Sequence, residues 1–586
     1  MLKSSRSWKS GVRPRPTQGA DIPMQFESVH EAIDHVATTE KMFALEQCDI
    51  RGVSYKTFKN GPKTLRDLLE FCNTHGEAEF LVFEDERYTF HDVYRKTLRL
   101  ADTLVNDYGV KPGDRVALLM RNAPEYPIIF MALASIGAVA VFVNSFWTTE
   151  ELEYGFKDCE AKIAFVDKPR AEKMGSFADR LGITRVVVRT AAMEKVREFW
   201  DLIDQDSDAV MPQVSIDPDD DFAVMYTSGS SGHPKGVVLT HRSAVSAIQV
   251  WLFGVRVAEL MGYAPSPTID ADGRPYQPCT MMTTPFFHIS ATHAGFLLSL
   301  WFGMKMVILH KWDPRNAVEL IDREQVSRFA CVPTMSAELL EAAAATGRTL
   351  DSLRTIDSGG AKRPPAQVRE IAERMPHALP GTGFGMTETG GPGIGMRGDL
   401  YLDNPDAAGR LQPPLFEMKI VDDDDNEVPV GEVGELVLKS ATNMRSYLNQ
   451  EEETAKALRD GWVYTGDLAK IDENEIITIV DRKKDMIIRG GENISCSEVQ
   501  GALHHHSAVA EAAVFSIPDE RLGENVGSCV YLRPGAKASE DDLKGFLSER
   551  IAAYKVPKRI WFRDTPLPRG PTEKVDQRAI RAEYVS

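Results

Sequence analysis

Residues 115–144 read RVALLMRNAPEYPIIFMALASIGAVAVFVN. The apolar run inside them, Ile128 to Val143, is 16 residues long. That is short of the roughly 18–20 residues needed to cross a bilayer. Gly137 divides it into IIFMALASI and AVAVFVN, which predicts a buried helix followed by a buried strand and no transmembrane segment. RVALLM, ahead of it, reads as another buried strand. Upstream, ADTLVNDYGV is helical and the turn KPGD follows it. Downstream come a helix, TTEELEYGFKDCE, and a strand, AKIAFVD. Helices between apolar strands at these lengths are βαβ units of a mostly parallel sheet. The same rhythm returns at MKMVIL, AVELIDREQ, RFACVP and LRTIDSG.

Farther out the character changes. Residues 1–60 read as a tail and lead-in, and 263–278 (YAPSPTIDADGRPYQP) as a surface loop or insertion. After Pro405, EMKIVDDDDNEVPVGEVGELVLKS predicts short strands with turns. After Arg482 a compact α+β unit of about 100 residues begins, long enough to fold by itself. The charged segment DRKKD marks the join. The predicted fold is α/β: a large N-terminal domain (61–482) of doubly wound subdomains plus a small β-rich subdomain, then a small mobile C-terminal domain (483–586).

The chain has 586 residues, 43% hydrophobic and 26% charged, an ordinary globular mix. Its net charge of −18 repels phosphate backbones and argues against nucleic acid as a partner. Seven scattered cysteines, an odd number without a CxxC pair, read as reduced thiols of a cytoplasmic protein. The basic N-terminus lacks the apolar core of a secretory signal. No long low-complexity tract or repeat is present.

Tyr226 to His241, YTSGSSGHPKGVVLTH, carries the sharpest chemistry. An apolar strand leads into Thr227, Ser228, Gly229, Ser230, Ser231 and Gly232, and then Lys235 opens another strand. Glycines allow the backbone close to an anion, hydroxyls and amides donate hydrogen bonds, and the lysine supplies charge. That suits a polyphosphate. It is not a Walker A loop, because Lys235 precedes Gly236 and a strand follows. At this run the sequence resembles the adenylate-forming superfamily of acyl-CoA synthetases, adenylation domains and firefly luciferase. The resemblance extends from about Thr64 to Arg581.

Further motifs fall in that family's order. In Gly383–Thr389, GFGMTET, the resemblance implies that Phe384 stacks on adenine beside Gly385, Thr387 contacts phosphate and Glu388 positions Mg²⁺. Many relatives have Tyr at the place of Phe384. Gly360 and Ala361, in Ser358–Ala361, would wall the adenine and carboxylate site. Asp467, in Tyr464–Asp467, and Arg482 would bind ribose, and Lys484 matches the hinge. Arg489, Gly490 and Gly491 would line the pantetheine tunnel after the C-terminal domain rotates. Lys574 would bridge carboxylate and α-phosphate, although Glu573 replaces the usual glycine beside it. His288, in PFFHIS, matches a residue at the acyl site and is expected to position substrate. His504–His506 matches a helix-to-strand turn rather than a metal tract. Ser440–Leu448 lacks the glycines usual there, with no function assigned to it.

The implied activity is that of an ATP-dependent acid–CoA ligase of the acyl-CoA synthetase branch. A carboxylate attacks MgATP to give acyl-AMP and pyrophosphate, and a thiol then takes the acyl group. Catalytic roles would fall on Lys574, Thr387, Glu388, Lys235 and His288, with ATP, Mg²⁺ and CoA as cofactors and substrates. The small residues of GGPGIGM (390–396) leave volume and no cation, which favours an apolar acid: fatty, aryl or polycyclic. Such a substrate permits transient membrane contact, though no amphipathic anchor is evident. The alternatives are an enzyme that loads a carrier protein and a degenerate nucleotide-binding homologue, the latter raised by Glu573.

Overall fold

A computed structural model describes residues 26, 28–189, 197–203, 209–227, 234–265, 267, 269, 273–489, 492–570 and 574–585. Residues 128–143 divide as expected: a wholly buried helix, Glu125–Ser135, and a wholly buried strand, Val139–Phe142. Gly137 makes the turn at φ +71°. Its glycine is needed there, because a side chain would also press on Pro112.

Two large sheets carry the chain up to about residue 411. The first orders Ser446–Tyr447, Lys235–Thr240, Asp221–Thr227, Val139–Phe142, Arg115–Leu119, Ile163–Asp167, Thr184–Val188 and Arg197–Glu198. Its interior neighbours run parallel, and Lys235–Thr240 turns back antiparallel. The second orders Arg410–Leu411, Ile394–Arg397, Leu379–Phe384, Thr355–Gly359, Arg328–Cys331, Cys279–Met282, Lys305–Ile308, Glu79–Phe83 and Glu86–Thr89.

The largest core gathers residues of both sheets with the helices Leu65–His75, Phe90–Asn106, Glu125–Ser135 and His241–Leu260. Separate cores cover the outer faces, under Pro314–Glu324 and Pro333–Thr346 on one sheet and Thr149–Cys159 on the other. Both faces of each sheet are therefore helix-covered, which is why the strands read as continuous apolar runs. Capping boxes at Thr64/Asp67, Thr89/Asp92 and Thr148/Glu151 fix three helix starts. One described helix, His241–Leu260, is long and apolar enough to cross a bilayer by composition, and 67% of that window is buried in the protein.

The segment after Pro405 forms a β-rich sheet of Glu417–Val421, Gly434–Lys439, Trp462–Ile471, Leu458–Arg459 and Ile477–Arg482. A single turn, Lys483–Asp485, then leads into the last sheet, built from Ile487–Arg489, Glu492–Ile494, Val509–Asp519, Gly523–Leu532 and Arg559–Arg563. Cys496–His504 is a helix that runs into Val509–Asp519, so the histidine tract sits at a helix-to-strand turn. Of the 263–278 insertion, Ile269 and Pro275 make one antiparallel bridge, and Tyr263, Ile269 and Tyr276 are exposed. All seven cysteines are free, and all but Cys48 are buried.

Candidate functional site

Loops that follow the C-terminal ends of parallel strands carry His288, Gly360 and the Gly385–Glu388 turn, the usual position for a ligand in such sheets. Thr227 ends one strand and is paired across the sheet with Lys235. Ser228, Gly229, Ser230, Ser231 and Gly232, which join them, lie outside the described residues. Lys235 is buried, and its ammonium group forms an ion pair with Glu453 over the Tyr447 ring, 5.0 Å from its centroid.

The Tyr447 hydroxyl donates to Glu388 Oε1 at 2.9 Å. The Met444 amide donates to the Glu388 carbonyl at 2.8 Å, which ties the whole 440–448 segment to the GFGMTET turn. Burial pushes the Glu388 carboxyl above the usual range, and the bond from Tyr447 and the charges of Arg482 and Lys235 oppose that shift. Thr387–Thr389 is a single 3-10 turn. Gly385 has to be glycine, because a β-carbon there would fall 1.8 Å from the Gly391 carbonyl oxygen. Phe384 and Thr387 are half-buried.

Gly359 pairs with Gly383 across the parallel strands, and Gly360 follows at φ +74°. Gly360 and Ala361 are exposed. Lys574 reaches this point from the other end of the chain: a β-carbon on Gly360 would lie 2.7 Å from its Nζ. The residue stays open to solvent, so its ammonium group occupies a cleft rather than a core. The protein walls and the Arg482 charge lower its pKa to about 8. Glu573 beside it lies outside the described residues.

His288 follows the strand Cys279–Met282, and the chain then runs into a π-helical stretch, Ser290–Leu297, a form often found at functional sites. Its Nε2 is buried with no hydrogen-bond partner. Burial and the nearby Lys574 charge push its pKa down to about 3, so the imidazole is neutral at ordinary pH. Asp467 and Arg482 are cross-strand partners with Nε to Oδ1 at 3.2 Å. Asp467 Oδ2 is buried without a partner, an acceptor left free for a donor from a ligand.

The remaining residues are not brought in. Arg489 donates to Asn525 Oδ1 at 3.1 Å within the last sheet. Gly490 and Gly491 lie outside the described residues, as does the Lys484 side chain. Asp481, just before the connecting turn, accepts from Ser495 Oγ at 2.9 Å and the Ser497 amide at 3.1 Å beyond it.

Volume at 390–393 differs from expectation. A β-carbon on Gly390 would meet the Thr442 carbonyl oxygen at 2.3 Å, and one on Gly393 the Phe384 carbonyl oxygen at 2.9 Å. These glycines serve backbone packing and leave no open space. Gly391 alone among the three meets only side chains, with Trp251 at 3.2 Å and Ile289 at 3.4 Å. A cavity of about 140 Å³ adjoins the His288 loop at Pro285, with Arg121, Phe146, Lys311, Trp312 and Met335 in its wall. Among the described residues no group of three or more His, Cys, Asp and Glu side chains gathers to hold a metal.

Tyr447, Glu453 and Trp251 were not singled out from sequence. Tyr447 lies in Ser440–Leu448, a segment that lacks the glycines usual there, and that departure is the available signal.

Residues 68–448 match the family described as AMP-binding enzyme, and residues 498–574 match the AMP-binding enzyme C-terminal domain. The chain is similar to a long-chain-fatty-acid–CoA ligase of Bacillus subtilis (strain 168), at 30% identity over 89% of this chain and 94% of that one. It is equally similar to 4-coumarate–CoA ligase 2 of Nicotiana tabacum, at 30% identity over 85% and 90%. Among solved structures it resembles the anthranilate CoA ligase AuaEII in complex with anthranoyl-AMP: TM-score 0.79, 26% identity, 89% of this chain and 97% of that one.

Proposed function

The chain belongs to the AMP-binding enzyme family, and from that premise we propose that it is an ATP-dependent acid–CoA ligase acting on an apolar fatty or aryl acid. The observation that carries this is the Lys574 ammonium group standing over Gly360, near enough for its charge to act on His288 and for that of Arg482 to act on it.

In the first half-reaction a carboxylate oxygen bonds to the α-phosphorus of ATP, the bond to the β-phosphate oxygen breaks, and pyrophosphate leaves. Lys574 neutralises charge between carboxylate and α-phosphate, and a fixed cation does this without reorganising in the transition state. Lys235 and the Ser228–Gly232 amides hold the leaving phosphates. Asp467 Oδ2 and Arg482 take the ribose, with Phe384 against the base. His288, neutral, orients the acid. Glu388 fits Mg²⁺: a buried carboxylate held by Tyr447 suits an ion that uses one or two carboxylates plus phosphates. When bound, the ion would neutralise phosphate charge.

In the second half-reaction the thiol sulfur bonds to the acyl carbon, AMP leaves, and the thiol proton passes to solvent. The turn at Lys484 would let the last sheet rotate, withdrawing Lys574 and bringing in Arg489, Gly490 and Gly491. Free thiols throughout support a reducing, cytoplasmic setting.

Mass spectrometry of products from purified protein, MgATP and a panel of acids, with and without CoA, tests the proposal. The panel runs from acetate through fatty acids to benzoate and cinnamate. Acyl-CoA from fatty or aryl acids is expected. Acyl-AMP unchanged by CoA would move the acceptor to a carrier protein, and adenylate from none of the acids would overturn the ligase reading.

A further inference from the structure

Lys235 does not wait for phosphate as a bare cation. It is buried, and its ammonium group is held by Glu453, whose other oxygen accepts from Lys456 at 2.7 Å. Glu453 lies in the first turn of the short helix Glu451–Ala457, which follows the strand Ser446–Tyr447. That strand pairs with Lys235–Thr240, so the acid is carried on the element bonded next to the lysine's own. We propose that Glu453 is a counter-ion that nucleotide displaces: it holds Lys235 between turnovers, yields it to the terminal phosphates of ATP, and takes it back as pyrophosphate leaves. This rests on the reading of Lys235 as a polyphosphate cation and adds a residue that sets the affinity of that site.

Carboxylate and phosphate compete for one cation. A buried ammonium group left unpaired is costly, so some anion has to meet it in the empty enzyme. A carboxylate and a phosphate oxygen at the same ammonium repel each other, so binding one weakens the other. Lys235 holds the Glu453 carboxyl down at about 2, so it is charged at any working pH. Glu453 has somewhere to go: Asn449–Glu453 line an open cavity of about 430 Å³, and Lys456 remains as its second partner. Loss of the attraction to Lys235 on nucleotide binding then raises KM for ATP, and its recovery speeds departure of pyrophosphate.

The test compares wild type with Glu453→Gln, Lys235→Ala and the double variant, all as full-length protein of unchanged melting temperature. Binding of inorganic pyrophosphate is measured by calorimetry, which needs no knowledge of the acid, and KM for ATP is separated from kcat on a turned-over acid. Glu453→Gln is expected to tighten pyrophosphate and lower KM for ATP, each by roughly tenfold, and to slow pyrophosphate release. On the Lys235→Ala background the same substitution is expected to do nothing. Unchanged or weaker binding in Glu453→Gln, or an effect that survives without Lys235, overturns the proposal. Pyrophosphate affinity unaltered in Lys235→Ala would instead remove the phosphate role of Lys235 itself, a separate failure. Glu453→Ala, which also removes the amide, has to move in the same direction as Gln.

Discussion

The Lys574 ammonium group stands 2.7 Å from the place a β-carbon on Gly360 would occupy. The two residues are joined by the chain through the single turn Lys483–Asp485, so this contact records which way the last sheet faces. Gly360 also sits at φ +74°, where a side chain costs about 1–2 kcal/mol. Gly360→Ala is therefore expected to displace Lys574 and slow acyl-AMP formation by at least about tenfold. Thioester formation from supplied acyl-AMP should change much less, and single-turnover assays of each half-reaction read the difference.

Lys574→Ala removes the cation outright. Loss of one preorganised charge-stabilising group typically costs about 10²–10³-fold. The loss should fall on acyl-AMP formation, and equal losses in both half-reactions would contradict the assignment. The charge itself gives a pH signature. The pKa of Lys574 is lowered from 10.5 to about 8, so the working cation is present below that pH and disappears as pH rises through it. For adenylation, kcat/KM should fall above about pH 8. Lys574→Arg, if it supports turnover, should lack that limb.

Tyr447→Phe takes away the side-chain donor to buried Glu388. A buried acceptor that loses its donor costs roughly 1–3 kcal/mol. Adenylation at fixed Mg²⁺ should drop about tenfold, with partial recovery at higher Mg²⁺, as read by ATP–pyrophosphate exchange.

Trp251 closes the space beside Gly391. Trp251→Ala should shift preference toward longer or bulkier acids, by up to about fourfold in kcat/KM for each added methylene accommodated. Gly391→Ala should narrow the range instead. Competition assays on paired acids measure both.

Lys484→Pro fixes φ at the connecting turn and removes an amide donor. One half-reaction should survive while the other falls, and full rates in both would place the pivot elsewhere. Asp481→Asn weakens the bonds from Ser495 and the Ser497 amide that span the turn. It should favour the thioester half-reaction at the expense of adenylation.

The fold was legible because its signals are local. Gly137 cuts one apolar run into helix and strand, and Thr148 with Glu151 marks the next helix start within four residues. The strand bounds at Thr227 and Lys235 and the turn within GFGMTET were legible for the same reason, as short contiguous runs. The partners of those motifs were not. Lys235 meets Glu453 and Glu388 meets Tyr447 across 218 and 59 residues, on strands and helices whose adjacency no local period encodes. The glycines at 390 and 393 misled, because a missing side chain reads alike whether it leaves room for a ligand or for a neighbouring carbonyl.

The cysteines carry a chemical consequence. An acyl adenylate is an electrophile made to be captured by sulfur, and the protein that makes it holds seven sulfhydryls of its own. Six are buried, and burial raises the pKa of each of them, to about 12 at Cys159, Cys279 and Cys331. Their nucleophilic form is scarce and out of reach. Those six are thereby shielded from acylation by the enzyme's own intermediate, which favours its capture by an outside sulfhydryl.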